Sequence, residues 1–226
     1  MGANKVDIVF VVDASGSMSD CFDQLRDNLR SFIEPLNQAN FQIRYGLVAY
    51  NTSEITFIGG SSSNLIDELY KDQFEEDNYF TSDAEKFLQV LDSVETSCDE
   101  NSPLALDIAA DLPFAGISES RRVIALFTDE KFESGKDWER HAPDFYKVLE
   151  KIVARKISLY TFQPQCAAAE AMETLPKTIV NYFDADKHSW NDINFSELLG
   201  QMGKSISVST LQMIQEPTFI KGVYHS

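Results

Sequence analysis

Three oxygen-bearing side chains follow an apolar segment near the start of the chain. The segment VDIVFVV (6–12) runs into Asp13, and Ser15 and Ser17 follow at intervals of two residues. Gly16 stands between the serines and favours a tight turn. Carboxylate and hydroxyl oxygens are ligands of hard divalent cations, so this spacing predicts a metal site. The alternative is that these side chains only cap the following helix.

Two later segments carry further oxygen donors that could join the first three. Ser102 stands directly before Pro103, where it is well placed to cap a predicted helix, and Asp129 follows the apolar segment RVIALFT (122–128). Ligands of an open parallel sheet bind beyond the carboxyl ends of its strands, so we expect both side chains at that edge. No His or Cys accompanies them, which favours Mg²⁺, with Mn²⁺ or Ca²⁺ as substitutes, over zinc, nickel or copper.

The elements that must position these residues alternate along the chain. Apolar segments predict strands at 6–12, 41–50, 122–128, 156–162 and 179–186. Apolar residues at spacings of three and four predict helices at 19–39, around 87–94, at 103–112, around 145–153 and around 195–202. This alternation predicts an α/β fold, with a doubly wound, mostly parallel central sheet and helices on both faces, as in Rossmann-like proteins. The segment ITFIG (55–59) follows the second strand too closely for a parallel crossover and predicts one antiparallel edge strand.

The domain organisation is predicted to be simple. Residues 1–206 form a single domain in this interpretation, and residues 60–80 are a polar insertion with one short helix. Residues 207–226 are a tail that is apolar but lacks clean periodicity. The tail is therefore a second candidate surface for a partner.

Composition excludes several classes of function. The chain has 226 residues and a net charge of −17, which argues against binding to nucleic acid or to anionic membranes. No apolar segment approaches the roughly 20 residues of a membrane span, and the N-terminus lacks the pattern of a secretory signal. The three cysteines are far apart and are predicted to be reduced thiols. We therefore expect a cytoplasmic protein.

The chain resembles the von Willebrand factor A domains. Their signature is Asp-x-Ser-x-Ser after the first strand, a Thr or Ser in a later loop and an Asp after a central strand. Here these positions hold Asp13-Ala-Ser15-Gly-Ser17, Ser102 and Asp129. The short motif alone is weak, but its place after an apolar strand, followed by the other two positions in order, makes the resemblance specific.

The resemblance covers about residues 5–206 and implies a metal-ion-dependent adhesion site. It implies that the three serine hydroxyls touch the metal directly and that the two carboxylates act mainly through waters. The neutral hydroxyls would leave the charge of the ion poorly compensated, so an Asp or Glu of a partner protein becomes the favoured last ligand. Metal and partner would then bind cooperatively.

The predicted function is that of a non-enzymatic protein-binding module within an intracellular multi-protein assembly. One alternative is a Mg²⁺-dependent enzyme of the phosphoryl-transfer type, but such a site would want a carboxylate where Ser15 stands. The chain also lacks the GxxxxGK[ST] and GxSxG patterns. The other alternative is a protein that uses its tail for binding and its metal for structure. Asp99, Glu100 and Glu130 stand beside the site residues in sequence, and one of them could plug the place of the partner.

Overall fold

Eight strands in the described part of the chain form one sheet. The computed structural model describes residues 5–52, 54–62, 78–97, 101–133, 138–184 and 189–215. The parallel strands are β1 (Lys5–Asp13), β2 (Gln42–Tyr50), β6 (Ser120–Phe127), β7 (Ser158–Gln163) and β8 (Thr178–Tyr182). The remaining three are β3 (Ile55–Phe57), β4 (Gly60–Ser62) and β5 (Phe80–Thr81). The strand order is β4-β3-β2-β1-β6-β7-β8, and β5 pairs with β2.

The antiparallel edge is broader than one strand. β3 pairs antiparallel with β2, as the short connection predicts, and β4 and β5 add two further antiparallel pairings. β4 and β5 are only two or three residues long, and their sequences GSS and FT carry no strand pattern of their own. The predicted α/β fold with a mostly parallel sheet and an antiparallel edge is confirmed.

In the described residues, five α-helices lie between strands and a sixth follows β8. They are α1 (Ser19–Gln38), α2 (Ala84–Asp92), α3 (Ser102–Asp111), α4 (Trp138–Ala154), α5 (Ala167–Glu173) and α6 (Phe195–Gln215). Single 3₁₀ turns precede α1 and α6, at Gly16–Met18 and Trp190–Asp192. No described helix combines the length and the apolar composition that a membrane span requires.

Two apolar layers hold the helices on opposite faces of the sheet. Successive residues of β1 point to opposite faces, so Ile8 and Phe10 pack with residues of α1, α2 and α6. Val9 and Val11 pack with residues of α3, α4 and α5. A sheet covered on both faces explains why the parallel strands are continuous apolar runs.

Two of the predicted segments extend beyond the described residues. Residues 63–77 of the predicted insertion at 60–80, with its predicted short helix, lie outside the described residues. α6 continues past residue 206 to Gln215, and residues 216–226 of the predicted tail lie outside. The described part of the tail is thus the end of a helix of the domain.

Candidate functional site

Asp13 is the fixed point of the predicted site. It is the last residue of β1 and its side chain is fully buried. Its Oδ1 accepts the backbone N–H of Ser15 at 2.7 Å, and its Oδ2 accepts the Thr128 hydroxyl at 2.8 Å. Thr128 directly follows β6, which pairs in parallel with β1. The adjacent strand ends therefore hold the carboxylate in one orientation.

The two serines of the motif turn towards the end of β6. Ser15 is extended and buried, and the 3₁₀ turn that follows it leaves Ser17 exposed. The Oγ atoms of the two serines lie 3.2 Å apart, and the Ser17 hydroxyl donates to Oδ1 of Asp129 at 3.1 Å. Hydrogen bonds thus join four of the five predicted site residues, from Asp13 to Asp129.

Helix capping does not account for these serines. Ser15 precedes the 3₁₀ turn without a side-chain capping bond, and Met18 is the N-cap residue of α1. The prediction that Ser102 caps α3 is wrong, because Asn101 is the N-cap residue and makes no side-chain capping bond. The serine side chains instead bond to other side chains.

Ser102 reaches the same edge of the sheet through Tyr50. Its Oγ lies 2.8 Å from the Tyr50 hydroxyl, and both residues are buried. Tyr50 ends β2 and stands opposite Asp13 in the register of the parallel pair. Ser102 shows no hydrogen bond to the other four site residues, so Tyr50 is its link to the end of β1.

The sequence pattern does not predict three polar residues that lie in this region. Tyr50 and Thr128 ended predicted apolar strands, so their hydroxyl groups were counted only as parts of the core. Asn101 is buried, and its Oδ1 has no hydrogen-bond partner among the described residues. A polar residue at the carboxyl end of a buried strand is the signal that could have identified Tyr50 and Thr128.

The electrostatics of the site are those of two converging carboxylates. Burial raises the pKa of Asp129 above its ordinary value, the hydrogen bond from Ser17 opposes this, and the charge of Glu130 adds to it. The Cys21 thiol in α1 is buried, and its pKa is raised first by burial and then by the charges of Asp129 and Asp13. The negative charge at this edge would favour a cation.

The donor set fits a small hard cation. An octahedral Mg²⁺ with oxygen ligands at about 2.1 Å places adjacent ligands about 3 Å apart. The spacings of Ser15 Oγ to Ser17 Oγ and of Ser17 Oγ to Asp129 Oδ1, at 3.2 and 3.1 Å, are close to this value. No cluster of three or more His, Cys, Asp or Glu among the described residues is arranged for a metal, so a cation here would depend on the hydroxyls.

The residues predicted to plug the site are only partly described. Asp99 and Glu100 lie outside the described residues. Glu130 is exposed, and its backbone N–H donates to the Thr128 hydroxyl at 3.2 Å. The Glu130 side chain therefore lies at the surface, next to Asp129 in the chain.

We expect Tyr50→Phe to lower the free energy of unfolding by about 0.5–1.5 kcal/mol, because the variant removes the buried hydrogen bond to Ser102 while keeping the ring. Urea denaturation measures this change. Ser102→Ala and the double variant complete a thermodynamic cycle, in which coupling of at least about 0.5 kcal/mol is expected for a direct contact. Additive effects would contradict a role of Tyr50 in holding Ser102.

Comparisons with known proteins agree with this architecture. The family model of the von Willebrand factor type A domain matches residues 7–198. The fold is similar to that of the SpRpn10 VWA domain, with a TM-score of 0.59 at 12% identity over 87% of this chain and 94% of that one. A search of curated proteins finds no match.

Two larger proteins contain a similar fold. The pilus adhesin SpaC from Lactobacillus rhamnosus GG gives a TM-score of 0.58 at 14% identity over 93% of this chain, which spans 31% of the adhesin. A von Willebrand factor type A protein from Catenulispora acidiphila gives 0.53 at 13% identity, over 90% of this chain and 43% of that one. At these identities the similarity shows the fold alone.

The family match extends over most of the chain, from before the Asp-Ser-Ser motif to α6. Domains of this family are generally protein-interaction modules. The chain belongs to the von Willebrand factor type A domain family.

Proposed function

We propose that the protein binds a partner protein through a divalent cation, preferably Mg²⁺, at the carboxyl ends of β1 and β6. The observation that supports this most is the row of hydrogen-bonded oxygens from Asp13 through Ser15 and Ser17 to Asp129. Their spacing is close to that of adjacent ligands around a small cation. Ser102 would complete the set from the side of β2.

The charge and burial of the site residues suggest different roles in holding the cation. The buried Asp13 would orient the motif through its bond to the Ser15 backbone rather than move. The hydroxyls of Ser15 and Ser17 carry no charge, so they would hold a cation without neutralising it. When bound, Mg²⁺ would supply the positive charge that attracts a carboxylate of the partner.

The exposure of the motif supports a ligand from outside the chain. Gly16 and Ser17 are exposed, and no atom within 4 Å would meet a Cβ built on Gly16. The turn therefore leaves open space on its outer side, where an Asp or Glu side chain of a partner could approach. We propose an intracellular multi-protein assembly as the setting, in line with the acidic composition and the spaced thiols.

We propose that this site is not catalytic. An enzyme of the phosphoryl-transfer type would use a carboxylate nucleophile with a second carboxylate two residues later, and the second place is held by Ser15. Oδ1 and Oδ2 of Asp13 both accept hydrogen bonds from the protein, and the side chain is fully buried. A buried carboxylate in this position is suited to orienting neighbours rather than to attacking a substrate.

Titration calorimetry with Mg²⁺ and Mn²⁺ tests the metal. We expect Ser17→Ala to weaken binding by about 10–100-fold, a loss typical of disturbed metal ligation. Ser17 is exposed, so its removal should leave the stability within about 0.5 kcal/mol. Ser19→Ala is the matched control, because Ser19 is an exposed serine two residues later with no place in the site. Equal affinity of both variants and the wild type would overturn the assignment of the ligand.

Affinity capture from a lysate of the source organism tests the partner. The three proteins are compared in Mg²⁺ and in EDTA. A partner that is retained by the wild type and Ser19→Ala in Mg²⁺, and lost from Ser17→Ala and in EDTA, supports metal-dependent capture. Retention in all conditions would move the binding surface away from the motif, with residues 207–226 as the next candidate.

A further inference from the structure

Basic residues mark the start of every parallel strand. We call this set the basic edge: Lys5 in β1, Arg44 in β2, Arg121 and Arg122 in β6, Lys156 before β7 and Lys177 before β8. Because the five strands are parallel, these residues lie together at the edge opposite to the Asp-Ser-Ser motif. In a chain with nineteen basic and thirty-six acidic residues, this segregation is a local reversal of charge.

Four residues of the basic edge converge on one small cavity. Arg121, Arg122, Lys156 and Lys177 line it, and no described acidic side chain does. The cavity measures about 20 Å³. That is room for about one water-sized atom, which is too small for a whole metabolite but sufficient for a single oxygen.

Neutral acceptors hold the two guanidinium groups in place. Arg122 donates from Nε and Nη2 to the carbonyl of Ala115, and from Nη1 to the carbonyl of Arg155. Arg121 is buried and donates from Nη2 to the Ser158 hydroxyl at 2.9 Å. These bonds fix the geometry of the cations without cancelling their charge, and Ser158 keeps its own proton to donate.

The electrostatic balance at this edge is positive. Burial lowers the pKa of Arg122, the charge of Arg155 lowers it further, and Asp7 opposes both. Asp7 is already engaged by Arg44, whose Nε and Nη2 lie 2.9 and 2.8 Å from its two carboxylate oxygens. The pKa of Arg121 is also lowered by burial. Both arginines would therefore gain from a further negative charge.

The two lysines add exposed ammonium groups to the arrangement. Lys156 and Lys177 are exposed and stand at turns with φ of 56° and 61°, two residues before β7 and one residue before β8. An ammonium group on a flexible stem can move over a ligand that fixed guanidinium groups have oriented. Guanidinium donors held in the cavity, with flexible ammonium donors at its surface, are suited to an anion that arrives from solvent.

We propose that the basic edge binds one anionic oxygen group, a carboxylate or a phosphate, carried on a partner. One oxygen would enter the cavity between Arg121 and Ser158, and the two lysines would contact the group at the surface. The net charge of −17 does not prevent this, because charges more than about 10 Å away are largely screened at 0.1 M salt. The site is independent of the proposed metal site at the opposite edge.

Nuclear magnetic resonance of the full chain tests this proposal with two probes, inorganic phosphate and a hexaglutamate peptide, at 0.1 M salt. We expect shifts of the backbone amides around residues 117–122, 156–158 and 177. The double variant Lys156→Gln/Lys177→Gln should bind the tighter-binding probe with an affinity lower by about tenfold or more, because it lacks two charge-assisted contacts. Tighter binding of phosphate would indicate a phosphorylated ligand, and tighter binding of the peptide an acidic segment.

The matched control is Lys86→Gln/Lys147→Gln, which changes the net charge equally at two exposed lysines of α2 and α4. Its affinity for the probes should equal that of the wild type. If both double variants lost probe affinity equally, the loss would come from the change in net charge, and the proposal would be overturned. The absence of shifts at the basic edge with both probes would overturn it as well.

Discussion

Gly203→Ala should destabilise the protein by about 1–3 kcal/mol, the range for overpacking a close contact. A Cβ at residue 203 would lie 2.5 Å from the carbonyl oxygen of Phe32 and 3.5 Å from Cγ of Pro35. The obstacle is the backbone of α1, so it cannot be relieved by a change of side-chain rotamer. α1 and α6 would have to separate, and both pack in the same apolar layer.

Gly200→Ala is the matched control for this prediction. Gly200 lies one turn earlier in α6, and a Cβ there would meet the carbonyl of Ser31 at 3.6 Å, an ordinary contact. Alanine in a helix is favoured over glycine by up to about 1 kcal/mol, so this variant should be neutral or more stable. The same substitution is thus expected to destabilise the protein at residue 203 and not at residue 200, as measured by urea denaturation. Similar stabilities of the two variants would contradict the close approach of the helices.

The close approach at Gly203 explains why the end of α6 was not predicted. Residues 206–215 include Ile206, Val208 and Thr210, β-branched residues that favour helices weakly, and no clean apolar spacing. Packing against α1 stabilises the helix as a whole, and this contact joins residues far apart in sequence. α5 was missed for a related reason, because its seven residues AAAEAME are too short for a periodic pattern.

The parallel strands and the local order of the site could be predicted because they depend on neighbours in sequence. A covered parallel strand is a continuous apolar run, and polar residues at its carboxyl end mark the edge where ligands bind. Asp13 and Asp129 lie at neighbouring strand ends because β1 and β6 are adjacent in the sheet, which follows from the α/β topology. The basic edge depends on that same parallel alignment, and its residues have little meaning until the strand starts are known.

The bonds that orient the site residues could not be predicted in the same way. Tyr50 contacts Ser102 across fifty-two positions, and Thr128 contacts Asp13 across one hundred and fifteen. In the sequence both residues complete apolar strands. The parallel pairing of β1 and β6 brings Thr128 to Asp13, whereas Tyr50 meets Ser102 because the start of α3 packs at the end of β2. Contacts between elements far apart in sequence, and not the local pattern, therefore bring these strand-end hydroxyl groups to the site.

Asp129→Asn should weaken Mg²⁺ binding by about 10–100-fold or more and should not destabilise the metal-free protein at neutral pH. The amide keeps an oxygen that can accept from Ser17, so the local hydrogen bond is retained. It removes a charge that the metal-free protein holds unfavourably, since burial raises the pKa of Asp129. Calorimetry measures the affinity, and urea denaturation in EDTA measures the stability.

The sign of the pH dependence follows from the direction of the pKa shift. A carboxyl group whose folded-state pKa is raised binds its proton more tightly in the folded protein, so its charged form reduces stability above that pKa. The penalty is relieved as the pH falls through the raised pKa towards the ordinary value of 3.8. In EDTA, the stability of Asp129→Asn relative to the wild type should therefore increase as the pH rises through this window and then level off.

Glu130→Gln is the control, because it makes the same charge change at the exposed neighbouring carboxylate. It should retain most of the Mg²⁺ affinity and should lower the pKa of Asp129, since the charge of Glu130 raises it. If Asp129→Asn were instead less stable in EDTA and bound Mg²⁺ normally, the Asp129 carboxylate would serve the fold through its bond to Ser17. Loss of Mg²⁺ affinity without loss of the free energy of unfolding would identify Asp129 as a ligand-binding carboxylate. A structural carboxylate would stabilise the metal-free fold, whereas burial makes the charge of Asp129 unfavourable there.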